Sequence, residues 1–152
     1  MAFEFFTQDL GIDLGTSNVL IYVDGKGVVI RDPAVVAVDK NSGKILQVGA
    51  AARNMLGRTP GNVVAMRPLK DGVISDHEMT VKMLQALFRK AIKTSIFNPK
   101  PRVVVCVPSG VTEVEERSVI NAAIEAGARR VFLIEEPLAA GLGAGLDIRG
   151  AS

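Results

Sequence analysis

The chain has 152 residues, of which 48% are hydrophobic and 22% charged, and a formal net charge of +2. Such a length supports one domain, or one with a small appendage. The basic residues are scattered along the sequence and Tyr22 is the one aromatic that is not Phe, which argues against a nucleic-acid partner. Single copies of cysteine (Cys106) and histidine (His77) exclude a disulfide framework, a histidine-built metal site and a Ser-His-Asp triad. Cys106, inside an apolar run, reads as a small hydrophobe rather than a nucleophile. The amino-terminal residues show no basic segment followed by a long apolar core, and no apolar run is long enough to span a bilayer. A cytoplasmic protein is expected.

Leu10–Leu14 and Val19–Val23 are predicted strands. Asp24-Gly25-Lys26-Gly27 is a hairpin turn leading into a third strand at Val28–Ile30, so the chain opens with an antiparallel meander. Asp32-Pro33 breaks it. Residues 33–69 carry short pieces between frequent breakers: strands at Ala34–Val38, Ile45–Val48 and Val63–Met66, and a short helix at Ala50–Leu56 ended by Gly57. This stretch reads as an inserted subdomain. Met83, Leu84, Leu87, Phe88, Ala91 and Ile92 recur at helical spacing on one stripe, and Asn98-Pro99-Lys100-Pro101 ends that helix. Val103–Val107 is continuously apolar and suits a central strand buried on both faces. Thr112 and Glu115 form a capping box that opens the next helix, with Ile120, Ala123 and Ile124 as its apolar stripe and Gly127 at its end. Val131–Ile134 is a further buried strand, closed by Glu135-Glu136-Pro137, and Leu138–Leu146 reads as a small-residue helix. A meander feeding right-handed parallel βα units forms one mixed sheet with helices on its faces.

The turn Asp13-Leu14-Gly15-Thr16-Ser17-Asn18 carries chemistry. Glycine lets backbone approach a ligand closely and aim several N–H groups one way. Asp13, at a strand end, is suited to hold a divalent cation through water, since Mg²⁺ takes one or two carboxylates plus phosphates and keeps most of its waters. By itself the turn is equally an ordinary hairpin, because Gly, Thr, Ser and Asn are common turn formers. Ligands of such sheets sit beyond the carboxyl ends of the parallel strands. Pro108-Ser109-Gly110 and Glu135-Glu136 lie there, and so does Asp13 if the first strand runs parallel to those two.

The order β-β-β-α-β-α-β-α with Asp-x-Gly-Thr in the first hairpin resembles the actin-like ATPase superfamily, a ribonuclease H-like α/β fold. Within it the chain is similar to the bacterial MreB/Mbl family. The stretches carrying the likeness are Gly11–Asn18, Gly57–Asn62, Arg67–Ile74, Val107–Glu115 and Ile134–Ala140, which run over nearly the whole chain. Gly57–Asn62 and Arg67–Ile74 are more specific than the phosphate turn, and they argue against a sugar kinase or heat-shock chaperone relative.

The resemblance implies a cytoskeletal protein that binds ATP and Mg²⁺ and forms filaments directing cell shape and cell-wall synthesis. Residues 1–32 and 70–152 would form subdomain IA, with 33–69 inserted as subdomain IB. Asp13 would act on the Mg²⁺ hydration shell, while Gly15, Thr16, Ser17 and Asn18 would face the β- and γ-phosphates. Glu136 would orient the attacking water, as phosphoryl transfer requires; Glu135 would be structural. Ile96 and Phe97, flanked by Lys93 and Lys100, would contact an anionic membrane, placing the protein at the inner face of the cell membrane. Val114 on the charged Thr112–Ala126 helix would be a filament interface residue, and the cell-wall elongation machinery would be a partner. The family's second phosphate loop and its adenosine loop are not found in this sequence, so hydrolysis by this polypeptide alone is left open. The alternative is a truncated, non-catalytic interaction module that binds or caps actin-like filaments.

Overall fold

The computed structural model describes residues 9–14, 18–55, 61–92 and 100–135. Strands β1 (Asp9–Leu14), β2 (Asn18–Val23) and β3 (Gly27–Pro33) form the predicted antiparallel meander. The turn between β2 and β3 uses positive φ at Gly25 and Gly27 and closes with Lys26 N–H donating to the Val23 carbonyl at 2.9 Å. β3 runs through Asp32-Pro33 rather than breaking there. It is the edge strand of its sheet, and Pro33 is its last residue, where a missing N–H costs least.

The short elements follow as β4 (Val36–Asp39), β5 (Ile45–Val48), helix α1 (Ala50–Arg53) and β6 (Val63–Met66). They form a separate antiparallel sheet in the order β5-β4-β6. Val36 and Val38 join the main core, whereas Val35 and Ala37 pack with Ala52 of α1 in a small second cluster. Both faces of β4 are therefore covered, which explains its unbroken apolar run.

A hairpin of β7 (Leu69–Lys70) and β8 (Val73–Ile74) comes next. No strand is predicted there from the sequence, yet Asp71-Gly72 is the strongest short hairpin signal. Asp71 has φ 53° and Gly72 φ 77°, as a type I′ turn requires. The Pro68 carbonyl accepts from the N–H groups of Ser75 (2.9 Å) and Asp76 (3.0 Å), closing the base of this hairpin. Helix α2 (His77–Ala91) then starts at Asp76, whose Oδ1 accepts from Met79 N–H at 3.0 Å. Its predicted stripe is buried: Met83, Leu84, Leu87 and Phe88 are core residues, with Ile92 just past its end.

β9 (Arg102–Val107), helix α3 (Glu113–Ala126) and β10 (Arg130–Glu135) complete the described elements. The capping box is present: Glu115 N–H donates to Thr112 Oγ1 and Thr112 N–H to Glu115 Oε2, and Gly127 with φ 126° ends the helix. The buried stripe of α3 is Val119, Ala122, Ala123 and Ala126; of the predicted Ile120, Ala123 and Ile124, Ala123 is buried, Ile120 half-buried and Ile124 47% exposed. Small alanines on that stripe let α3 approach β10 and α2 closely, so the larger isoleucines turn to the rim. The predicted helix at 138–146 lies outside the described residues.

The main sheet has the order β10-β9-β1-β2-β3, with β10, β9 and β1 parallel and β2 and β3 antiparallel. One face presents Leu10, Ile12, Leu14, Val19, Ile21, Val23, Val103, Val105 and Val107 to the core shared with α2 and α3. The other face is not fully covered. Val104 and Cys106 are half-buried and Phe132 is 51% exposed, so β9 is buried on one face rather than on both.

Among the described glycines, Gly72 is the most closely packed. A Cβ there would lie 2.4 Å from Pro108 Cδ, on a backbone already at positive φ. Gly72→Ala is expected to destabilise the chain by about 1–3 kcal/mol. Gly25→Ala, at positive φ but in open space, is expected to cost less. Urea unfolding of the two variants gives the comparison.

Candidate nucleotide-binding edge

The parallel pairing of β1 with β9 decides where the candidate groups gather. Asp13 is opposite Cys106 of β9, and Cys106 is opposite Ile134 of β10. Asp13 therefore lies at the carboxyl edge of the parallel strands, as the sequence reading required. On its other side Asp13 faces Leu20 of β2. The row Leu20–Asp13–Cys106–Ile134 sets one carboxylate among apolar or weakly polar neighbours on the less covered face.

The electrostatics follow from that row. Burial raises the Asp13 carboxyl above its ordinary 3.8, by penalising the charged form. Asp13 Oδ1 is buried and has no hydrogen-bond partner among the described residues. An orphaned buried carboxylate oxygen needs an explanation, and a cation or its hydration water supplies one. No group of three His, Cys, Asp or Glu side chains that would cage a metal exists among the described residues. The donor set thus fits Mg²⁺ held by one carboxylate, water and phosphate, and does not fit a metal held by protein ligands alone.

Asn18 opens β2, exposed, opposite Pro33. Leu14 pairs with Val19, so β1 and β2 are joined by residues 15–17. Gly15, Thr16 and Ser17 themselves lie outside the described residues, as do Glu136, Ile96 and Phe97. Glu135 ends β10 opposite Val107, exposed, one residue short of Glu136. The edge also contains a part that sequence reasoning missed: the β7–β8 turn, which rests on Pro108 immediately after β9. Its signal was the Asp71-Gly72 pair.

A mixed sheet in this order, with a carboxylate at the end of its first strand and helices α2 and α3 on one face, defines an actin-like α/β protein. The sequence comparisons go further. A sequence model described as "MreB/Mbl protein" matches residues 7–152. The cell shape-determining protein Mbl of Bacillus cereus is 54% identical over 143 residues, which are 94% of this chain and 43% of that protein. The cell shape-determining protein MreB of Escherichia coli is 52% identical over 151 residues, 97% of this chain and 44% of that protein. Among solved structures, MreB5 of Spiroplasma citri bound to AMPPNP is 39% identical with a TM-score of 0.81, covering 93% of this chain and 42% of that one. The same protein bound to ADP gives 38% and 0.80 over the same shares. The chain belongs to the MreB/Mbl family, and it spans less than half the length of the curated relatives it matches.

The burial of Asp13 has a measurable consequence. Between 3.8 and its raised folded value, the native state holds more of the Asp13 proton than the unfolded state. Stability contributed by this group therefore falls as pH rises through that window and stays lost above it. Asp13→Asn removes the ionisation. Without nucleotide or Mg²⁺, this variant is expected to melt at a higher temperature than the parent above the window and to match it below pH 3.8. Thermal unfolding across pH reads the difference.

Proposed function

We propose that this chain supplies one jaw of the nucleotide cleft of an actin-like cytoskeletal protein that binds ATP with Mg²⁺ and assembles into membrane-associated filaments for cell shape. The observation that carries the reading is the orphaned, desolvated Asp13 oxygen at the carboxyl edge, directly before the glycine-containing turn. In this reading Asp13 orients water on Mg²⁺, and Gly15, Thr16, Ser17 and Asn18 take the β- and γ-phosphates. Glu136 holds the attacking water. Bound Mg²⁺ would neutralise phosphate charge; the chain's own part is to fix geometry and aim donors. Nucleotide-bound structures of a family member at 39% identity support this cofactor.

Self-association is supported by Val114, which is 75% exposed in the first turn of α3 although it is apolar. Ile96 and Phe97 are the proposed membrane contact, at the inner face of the cell membrane, and the cell-wall elongation machinery is the proposed partner. Residues 1–32 with 70–152 are proposed as one subdomain and 33–69 as its insertion.

A second reading has its own support. Tyr22 and Phe132 are exposed on the less covered face of the main sheet, which suits a non-catalytic module that binds or caps filaments. Adding the chain to an assembling full-length family member separates the two: capping without nucleotide turnover favours the module.

The site itself is tested by Asp13→Ala. Mg²⁺-dependent ATP binding, measured by calorimetry on a family-length protein carrying this segment, is expected to weaken by about 10²-fold or more, as when a charged partner is removed. Glu136→Gln is expected to keep binding and slow hydrolysis. Unchanged Mg²⁺-dependent binding in Asp13→Ala contradicts the assignment.

A further inference from the structure

The β7–β8 hairpin brings a cation to the carboxyl edge of the parallel strands. Its turn rests on Pro108, one residue past Val107, which stands opposite Glu135, and two past Cys106, which stands opposite Asp13. The hairpin is fixed at turn and base. A Cβ on Gly72 would meet Pro108 Cδ at 2.4 Å, and the Pro68 carbonyl accepts from the N–H groups of Ser75 and Asp76 and from Ser75 Oγ at 3.1 Å. Leu69 is buried in the main core, with Ile74 packed against it. Successive strand side chains point to opposite faces, so Lys70, exposed and paired with Val73, faces away from that core.

The charge around it makes Lys70 distinctive. Asp13 and Glu135 stand at the ends of β1 and β10, Asp71 in the hairpin turn, and Glu113, Glu115 and Glu116 in the first turn of α3. Residues 108–112, which lead from β9 into α3, are uncharged. Arg67, just before the hairpin, already has an interaction of its own. Lys70 makes no ion pair and no side-chain hydrogen bond among the described residues. A nucleoside triphosphate brings more negative charge than one Mg²⁺ cancels, so a site otherwise lined by carboxylates needs a further cation.

We infer that Lys70 is a phosphate-binding residue of the nucleotide site and takes the terminal phosphate of a bound nucleoside triphosphate. This inference deepens the nucleotide reading above and rests on it. Lysine carries a compact charge on a flexible four-carbon stem, so a fixed hairpin backbone with an unengaged ammonium can close on a phosphate when one arrives. The sheet order selects which phosphate. β9 lies between β1 and β10, so a hairpin resting on the end of β9 stands between Asp13 and the end of β10, where Glu136 follows. In the reading above Glu136 holds the attacking water, and that water meets the terminal phosphate. A cation there acts where charge develops during phosphoryl transfer.

Calorimetric titration of a family-length protein carrying this segment, with ATP and with ADP in the presence of Mg²⁺, tests the proposal. Lys70→Met is expected to weaken ATP binding about tenfold, as when one charge-assisted contact is lost, and to leave ADP binding nearly as it was. Lys70→Arg, which keeps the charge, is expected to retain most of the ATP affinity. Circular dichroism checks folding, and Lys70→Gln, a second neutral replacement, is expected to match Lys70→Met. Asp13→Ala, measured alongside, reports on the site as a whole. Weakened ATP binding in Asp13→Ala with unchanged binding in Lys70→Met and Lys70→Gln overturns the role of Lys70 and keeps the nucleotide reading. Equal losses for ATP and ADP in the Lys70 variants overturn the assignment to the terminal phosphate. Unchanged ATP binding in the Asp13 and Lys70 variants alike overturns both.

Discussion

The parallel pairing of β1 with β9 is the constraint on which everything else depends. A strand of the opening meander runs alongside a strand that arrives some ninety residues later, and their register sets Asp13 opposite Cys106. A shift of one residue would turn Asp13 into the core and Leu14 out of it, because strand side chains alternate faces. Leu10, Ile12 and Leu14 on β1, with Val103, Val105 and Val107 on β9, hold that register by burial. At about 1.5–3 kcal/mol for each large apolar side chain, these residues far outweigh the half-exposed Arg102–Asp9 ion pair at the other end of the same strands. The core therefore determines where the carboxylate stands, and the ion pair only decorates the register.

The cost of that placement is a carboxylate in an apolar row with one oxygen unsatisfied among the described residues. Functional sites tolerate such local conflicts. The neighbouring β7–β8 hairpin adds a steric constraint of its own. Gly72 at positive φ lets the turn rest on Pro108, tying the segment before α2 to the end of β9. The carboxyl edge is thus built from three separate parts of the chain, each fixed by packing rather than by the turn alone.

Much of this was legible in the residues. The apolar segments Leu10–Leu14 and Val19–Val23, the Asp24–Gly27 turn and the Thr112–Glu115 capping box each specify their element locally, and each stands as read. The misreadings share a cause. Val104 and Cys106 look as buried as their neighbours, because an unbroken apolar run does not reveal which face a helix will cover. Ile124 looks like core at helical spacing, yet the alanines of α3 make the close contact and leave it outside. Asp71-Gly72 was overlooked because strands of two residues carry almost no periodicity.

Asp13 is the point where the account is most exposed. The most direct measurement is the titration of the Asp13 side-chain carboxyl by NMR, without and with Mg²⁺ and ATP. A midpoint above 3.8 in the free chain that falls once Mg²⁺ and ATP are both present is the predicted result. An Asp13 that titrates at its ordinary value and ignores Mg²⁺ and ATP would contradict the account.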